Sequence, residues 1–173
     1  SPFRSGRLVM KAISLIQPWA TLVAIGAKRI ETRSWSTHYR GPLAIHASKQ
    51  IPRWAVDLCH IEPFKRLLAA AGIVQVNQLP RGAVLAVVYL VSVRPIWPYS
   101  TGWNWESQTG RQYAFPLDQT ERALGDYTPK RFAWLLDDVK PIGPIQGVRG
   151  SLGLWECESS FLPKGASRGG YGR

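Results

Sequence analysis

Cysteine and histidine are scarce in this chain, and their scarcity narrows the kinds of site that it can form. Its 173 residues include two cysteines and three histidines. Cys59 and Cys157 form no CxxC pair, and no zinc-ligand spacing links them to the histidines. We therefore expect no metal site and no organic cofactor. Both thiols are interpreted as small buried apolar groups in a reducing compartment, and a disulfide between them stays open as the alternative.

Long apolar runs are also missing. Arg81 and Arg94 bracket the longest run, which is too short to cross a bilayer. Residues 1–9 show no signal-peptide pattern. These absences predict an intracellular protein without a membrane partner, cytoplasmic if its source is a bacterium or a phage.

The length of the chain suits a single domain. We place this domain at residues 10–158, with Met10 as the expected natural start. Residues 1–9 are interpreted as a disordered arm or a cloning remnant. Residues 159–173 are rich in Gly, Ser and Arg and are expected to form a disordered basic tail. We expect the protein to be a monomer.

Acidic residues are half as frequent as basic ones. There are 11 Asp and Glu against 22 Lys and Arg, which gives a net charge of +11. Residues 26–53 carry six cations and one acid, Glu31, and therefore hold +5 of this surplus. The six cations are Lys28, Arg29, Arg33, Arg40, Lys49 and Arg53. A concentrated basic segment is typical of a protein that binds a polyanion, whereas evenly spread charge only favours solubility.

The centre of this basic segment is predicted to be an extended strand over residues 29–35. Alternate residues of a strand share a face. The side chains that would then point one way are Arg29, Glu31, Arg33 and Trp35. One carboxylate among guanidinium groups holds them in a geometry that suits a phosphate or a base. A solvated, charged edge strand is the alternative.

Strand patterns dominate the rest of the chain. Residues 83–93 are nearly all apolar and rich in valine, which predicts a central strand. Residues 42–48 alternate, and a hairpin with 29–35 would bring His46 and Ser48 beside the basic strand. The segment 97–116 is rich in aromatic residues and is interpreted as an ordered loop. The pattern predicts an α+β fold, a closed or nearly closed mixed β-barrel with flanking helices.

Helices are expected in the first half of the chain, after Pro18 and across residues 52–71, where Pro63 begins a second helix. We expect Trp54, Trp134 and Trp155 to lie in the core. The three glycines Gly147, Gly150 and Gly153 do not form a dinucleotide loop, and their spacing fits tight turns near a cleft.

Several motifs occur together in this order. The chain reads Gln17-Pro18-Trp19, then Gly26-x-Lys28-x-x-Glu31-x-Arg33, then Tyr39-Arg40-Gly41-Pro42, and near its end Phe132-Ala-Trp134 and Gly147-Val-Arg149-Gly150. Over residues 10–157 this pattern resembles the ASCH domain family (activating signal cointegrator homology), whose hallmark is the Gly-x-Lys-x-x-Glu-x-Arg element.

The resemblance implies a PUA-like β-barrel and a cleft, lined by the motif, that binds nucleic acid. It also implies an enzymatic alternative, since some members are amidohydrolases that act on acetylated cytidine and others are reported ribonucleases. The motif positions carry over to Gly26, Lys28, Glu31 and Arg33. In the amidohydrolases a threonine stands where this chain has Glu31, so the chain departs from that subgroup at this position.

The nucleic-acid-binding prediction assigns roles to individual residues. Phosphate contacts are expected from Lys28, Arg29, Arg33, Arg40, Lys49 and Arg149, with Glu31 orienting Arg33 or Lys28. The base-contacting side is expected to include Gln17, Trp19, Trp35 and His46. Gln17 alternatively caps the helix that follows it. RNA or an exposed single strand is favoured, because no recognition helix carries the charge, and DNA stays open.

Two other functions are carried as alternatives. In a nucleoside or RNA hydrolase, Lys28 would act as nucleophile or base and Glu31 would transfer the proton. If these two residues have a structural role instead, we expect a Lys28–Glu31 ion pair at the junction of helix and strand. In a protein-interaction module, the aromatic residues of 97–115 would form the binding surface.

Overall fold

The computed structural model describes residues 8–159, so the predicted arm and tail, apart from Leu8, Val9 and Ser159, lie outside the described residues. Within the described part, the strands are β1 (Val9–Leu15), β2 (Ile30–Arg33), β3 (Gly41–Ala47), β4 (Ala83–Pro95), β5 (Gly102–Glu106), β6 (Gln112–Pro116), β7 (Phe132–Gln146) and β8 (Leu154–Glu158). The helices are α1 (Trp19–Ala24), α2 (Arg53–Leu58), α3 (Phe64–Ala70) and α4 (Gln119–Ala123), with a 3₁₀ turn at Val76–Gln78. The fold is therefore α+β and mostly strand, as the sequence predicts.

Six of these strands form one mixed sheet, in the order β2-β7-β4-β3-β1-β8. Strands β1 and β3 are parallel, and the other neighbours are antiparallel. Because β2 and β8 lie at opposite ends of this order, the described strands form an open sheet. The expectation of a closed barrel is corrected accordingly. Strands β5 and β6 pair only with each other, as a separate hairpin.

The predicted hairpin between residues 29–35 and 42–48 is wrong. Strand β2 pairs instead with β7, where Glu31 lies opposite Trp134. Strand β3 cannot pair with β2, because β1 occupies one of its edges and β4 the other.

Strand β4 lies in the middle of the sheet, as its valine-rich run predicts, and its residues from Ala83 to Val93 are nearly all buried. Trp134 on β7 is fully buried in the main core. Trp54 on α2 is 56% exposed, which corrects its expected place in the core. The thiols of Cys59 and Cys157 are free and buried in separate apolar clusters, so they do not form a disulfide.

Helix α1 turns the chain from β1 towards β2. Its first turn is held by Gln17, whose side-chain Oε1 accepts from the backbone N–H of Thr21 at 3.0 Å. Gly26 then adopts a φ of +78°, which a residue with a β-carbon rarely does, and this turn ends the helix. The helices in residues 8–159 all lack the length and apolar character that a membrane crossing requires.

Candidate functional site

Two adjoining clefts lie at the carboxyl ends of β1, β2 and β3. The first, which we call the basic cleft, has a volume of about 900 Å³, and its lining includes Arg33, His46, Lys49, Arg81 and the loop 147–153. The second, which we call the aromatic cleft, has a volume of about 580 Å³, and its lining includes Trp19, Glu31, Trp35, Trp54, Phe64 and Arg131. Ser14, Ile16 and Arg33 line both, so the two clefts meet at these residues.

The lining of the basic cleft carries charge of one sign. Among the described residues that line it are four cations, Arg33, Lys49, Arg81 and Arg149, and no Asp or Glu. Lys49, Arg81 and Arg149 are exposed at its rim, whereas Arg33 is half-buried. The Arg33 guanidinium donates to the Ser14 carbonyl oxygen at 2.9 Å, which fixes it at the boundary of the two clefts. A concave surface lined with cations concentrates the positive field and attracts a polyanion.

His46 anchors the loop 147–153 to the floor of the basic cleft. The imidazole Nε2 lies 2.7 Å from the carbonyl oxygen of Val148, and a carbonyl only accepts, so Nε2 carries the proton. Nδ1 is then free to accept from the Ser14 hydroxyl, 2.9 Å away. The Trp155 indole donates to the same hydroxyl oxygen at 3.2 Å. These contacts place the predicted residue His46 in the cleft, as a neutral hydrogen-bonding group.

Burial lowers the pKa of His46 below its ordinary value, so the folded protein favours the neutral ring. In the unfolded chain the ring binds a proton below about pH 6.5. The contribution of His46 to the free energy of unfolding is therefore fully present above the unfolded-state pKa. As the pH falls below that value, the unfolded chain binds a proton that the folded protein does not, and the contribution is lost until the pH reaches the folded-state pKa. We expect His46→Gln to reduce this acid destabilisation, measured by urea unfolding across the range. A variant of the exposed His60, His60→Gln, should keep the pH dependence of the parent protein.

The aromatic cleft is lined by a different set of groups. The rings of Trp35 and Trp134 meet edge to face with centroids 4.8 Å apart, and Trp19 packs against Trp54 at 5.7 Å. The Trp19 indole donates to the carbonyl oxygen of Leu124. Its lining also includes carboxylates and cations, among them Asp126 and Arg131, whose Oδ2 and Nε atoms are 3.4 Å apart. This cleft is therefore apolar with a mixed-charge rim, which suits a ring better than a run of phosphates.

Lys28 does not reach either cleft. Its side chain is 0% exposed, and its ammonium lies 3.3 Å from Glu121 Oε1. The Glu121 carboxylate also accepts from the backbone N–H groups of Arg29 and Ile30 and from the Tyr127 hydroxyl. Asp118 caps α4 by accepting from the Glu121 N–H at 2.8 Å and so fixes this carboxylate in place. The structure therefore places Lys28 in a buried ion pair, away from both clefts.

Glu31 does not pair with Lys28. Its carboxylate accepts from the backbone N–H of Thr32 at 2.7 Å, at the wall of the aromatic cleft. It does not orient Arg33 either, since the Ser14 carbonyl does. The catalytic couple expected of Lys28 and Glu31, and the ion pair expected as its structural counterpart, are both replaced by the Lys28–Glu121 pair.

Three further predicted residues lie away from both clefts. Gln17 is fully buried, and its side chain caps α1 and donates to the Pro80 carbonyl oxygen at 2.8 Å. Arg29 lies over the Phe115 ring and pairs with Asp137. Arg40 donates to the backbone carbonyl oxygens of two neighbouring residues. The structure brings together Arg33, His46, Lys49 and Arg149 in one cleft and Trp19, Glu31, Arg33 and Trp35 in the other.

Sequence reasoning missed Arg81 and Glu121. Arg81 precedes β4 by two residues, in a turn whose sequence carries no motif, and only the fold brings it to the basic cleft. Glu121 lies 93 positions after Lys28. An Asp three residues before a Glu marks the start of a helix, which is a signal for α4 but not for the partner of Lys28. Within residues 8–159, no group of three or more His, Cys, Asp and Glu side chains is placed to hold a metal ion.

Comparisons with known proteins agree with these motifs. The chain is 37% identical over 157 residues to activating signal cointegrator 1 of Mus musculus, a match that covers 91% of this chain and 24% of that protein. It is 37% identical over 79 residues to the Homo sapiens protein of the same name, covering 46% of this chain and 13% of that one. The chain thus spans a quarter or less of the length of these relatives.

Among solved structures, the ASCH protein of Zymomonas mobilis is similar over 86% of this chain and 87% of its own, with 20% identity and a TM-score of 0.43. The profile of the ASCH domain family matches residues 13–144, which include the Gly-x-Lys-x-x-Glu-x-Arg element and most of the sheet. The chain therefore belongs to the ASCH domain family.

Proposed function

We propose that this ASCH domain binds nucleic acid, RNA or DNA, in the basic cleft, with its phosphates against Lys49, Arg81 and Arg149. One observation carries the proposal: four cations line a single concavity of about 900 Å³ whose described lining residues include no carboxylate. Cations without acidic partners keep their charge available to a phosphate, and each contact releases counterions from the nucleic acid. The half-buried Arg33 presents its guanidinium at the inner end of this surface.

The aromatic cleft is proposed to hold a base of the bound strand. It meets the basic cleft at Arg33, so a nucleotide whose phosphate lies in one cleft has its base within reach of the other. Trp35 is half-buried and lines the opening, and stacking on such a ring contributes about 1–3 kcal/mol per base. The indole N–H of Trp19 is already engaged by Leu124, which leaves the ring face of this residue as its contact surface.

No contact favours the hydrolase alternative among the described residues, because Lys28 is buried against Glu121 and the Glu31 carboxylate is bound to the Thr32 N–H. The PUA-like classification of the fold and the monomeric state stay predictions.

A binding panel tests the proposal. RNA, single-stranded DNA and duplex DNA of equal length are each titrated with the protein in filter-binding experiments at about 50 and 200 mM salt. Phosphate-driven binding with several contacts is expected to weaken by orders of magnitude between the two salt concentrations. Binding that does not change with salt, or no binding to any of the three, would overturn the proposal and favour the exposed aromatic residues Trp97 and Tyr99 as a protein-binding surface.

A further inference from the structure

The loop 147–153 carries an unusual apolar tip. Leu152 is 98% exposed, the highest value among the large apolar residues of the described chain. A single exposed leucine is common on protein surfaces. This one, however, lines the basic cleft together with Arg149 of the same loop, where a polyanion would lie.

The base of this loop is fixed rather than loosely attached. The Val148 N–H donates to the Gly82 carbonyl oxygen at 3.0 Å, and the Val148 carbonyl accepts from His46 at 2.7 Å. The backbone of Gly150 lies so close to the cleft floor that a β-carbon there would be 2.5 Å from Ser14 Oγ. The loop is thus held at both Val148 and Gly150, immediately before Leu152.

The cations near Leu152 indicate which part of the cleft a bound nucleic acid would contact. Lys49, Arg81 and Arg149 line the same concavity as Leu152, and Gly82, the neighbour of Arg81, is hydrogen-bonded to the loop at Val148. A duplex whose phosphates contact these cations would therefore lie against the loop that carries Leu152. Apolar side chains that meet a duplex in this way enter between base pairs from the minor groove and partly unstack them, which requires no recognition helix.

We propose that Leu152 is a wedge that enters the base stack of a duplex bound in the basic cleft and unstacks one step. This inference rests on the proposed nucleic-acid binding and names its ligand as a duplex. The cations supply the affinity and the loop supplies the deformation. A wedge needs an exposed apolar side chain on a supported backbone, and Leu152 is the exposed apolar residue among the described lining of this cleft.

The test uses the full chain and a short duplex with 2-aminopurine at a central step, whose fluorescence rises when the base is unstacked. The wild-type protein is expected to raise the fluorescence at saturation. In Leu152→Ala this rise should be lost, while Kd changes by less than about tenfold and the salt dependence is unchanged, because no charge is removed. Leu152→Phe should retain the rise. Val74→Ala, at an aliphatic residue that is 73% exposed and lines neither cleft, is the matched control and should behave as the wild type.

Three results would overturn the wedge. If Leu152→Ala gives the same rise as the wild type, another group deforms the duplex. If the wild type binds the duplex without any rise, or binds single strands alone, the wedge is wrong and the proposed nucleic-acid binding stands. If the wild type binds no nucleic acid, both proposals fail together. Because Leu152 has almost no contact with the rest of the protein, its variants are expected to fold, and thermal unfolding checks this.

Discussion

Replacing Lys49, Arg81 and Arg149 together by alanine is expected to lower the affinity for nucleic acid about 100-fold near physiological salt. The slope of log K against log salt should fall in magnitude by about 2 to 3, since each lost phosphate contact removes about 0.7 to 0.9 from it. These three side chains are exposed at the rim of the basic cleft, so their removal should leave the fold intact. Arg33 is left in place, because its guanidinium also holds the Ser14 carbonyl.

A second triple variant separates the cleft from net charge. Lys65, Arg111 and Lys140 are also exposed, line neither cleft, and their replacement by alanine removes the same three charges. This control is expected to lose much less affinity than the cleft variant. Equal losses in the two triple variants would mean that overall charge, and not the basic cleft, attracts the nucleic acid.

Breaking the Lys28–Glu121 pair is expected to have the largest effect on stability. In Glu121→Gln the amino group of Lys28 has no exposed surface and loses its carboxylate partner. Removing one partner of a buried pair destabilises a protein by about 3–5 kcal/mol, because the remaining charge is left uncompensated. We expect a loss of that size in the free energy of unfolding, measured by urea denaturation followed by circular dichroism.

The double variant Lys28→Met, Glu121→Gln provides the control for this pair. Without the ammonium, the glutamine oxygen can still accept from the Ile30 N–H and the Tyr127 hydroxyl, two of the contacts that Glu121 makes. Burial and the charge of Glu121 raise the pKa of Tyr127, so its hydroxyl stays protonated and remains a donor. The double variant should therefore be more stable than Glu121→Gln alone. A Glu121→Gln protein within about 1 kcal/mol of the wild type would contradict the structural role of the pair.

The sequence predicts local structure well where one strand or turn carries its own pattern. The valine-rich run of β4 and the extended conformation of β2 follow from composition and alternation, and both are confirmed. The turns near Gly147 and Gly153 follow from glycine spacing, and both residues adopt positive φ angles. The secondary structure of the aromatic segment 97–116 is harder to predict, because its alternation is interrupted. The segment forms the β5–β6 hairpin instead of the expected loop.

Strand pairs and ion pairs between distant parts of the chain do not follow from such local patterns. Strand β2 has a plausible neighbour in β3, a few residues on, yet its partner β7 begins at Phe132. The same limit applies to Lys28, whose motif neighbour Glu31 is near in sequence while Glu121 is near in space. A hydrogen-bonding or charged side chain in a motif marks a constrained position, but the sequence does not say whether that position faces a ligand or the core.

The most direct test of the central claim is chemical-shift mapping of the backbone amides during titration with a short nucleic acid. If the basic cleft is the binding surface, the largest shifts are expected in the residues that line it, which are His46, Ser48, Lys49, Arg81, Gly82 and the loop 147–153. The amides of Lys28 and of the β5–β6 hairpin should change little. Shifts concentrated on that hairpin, with the three cleft segments unchanged, would contradict the account.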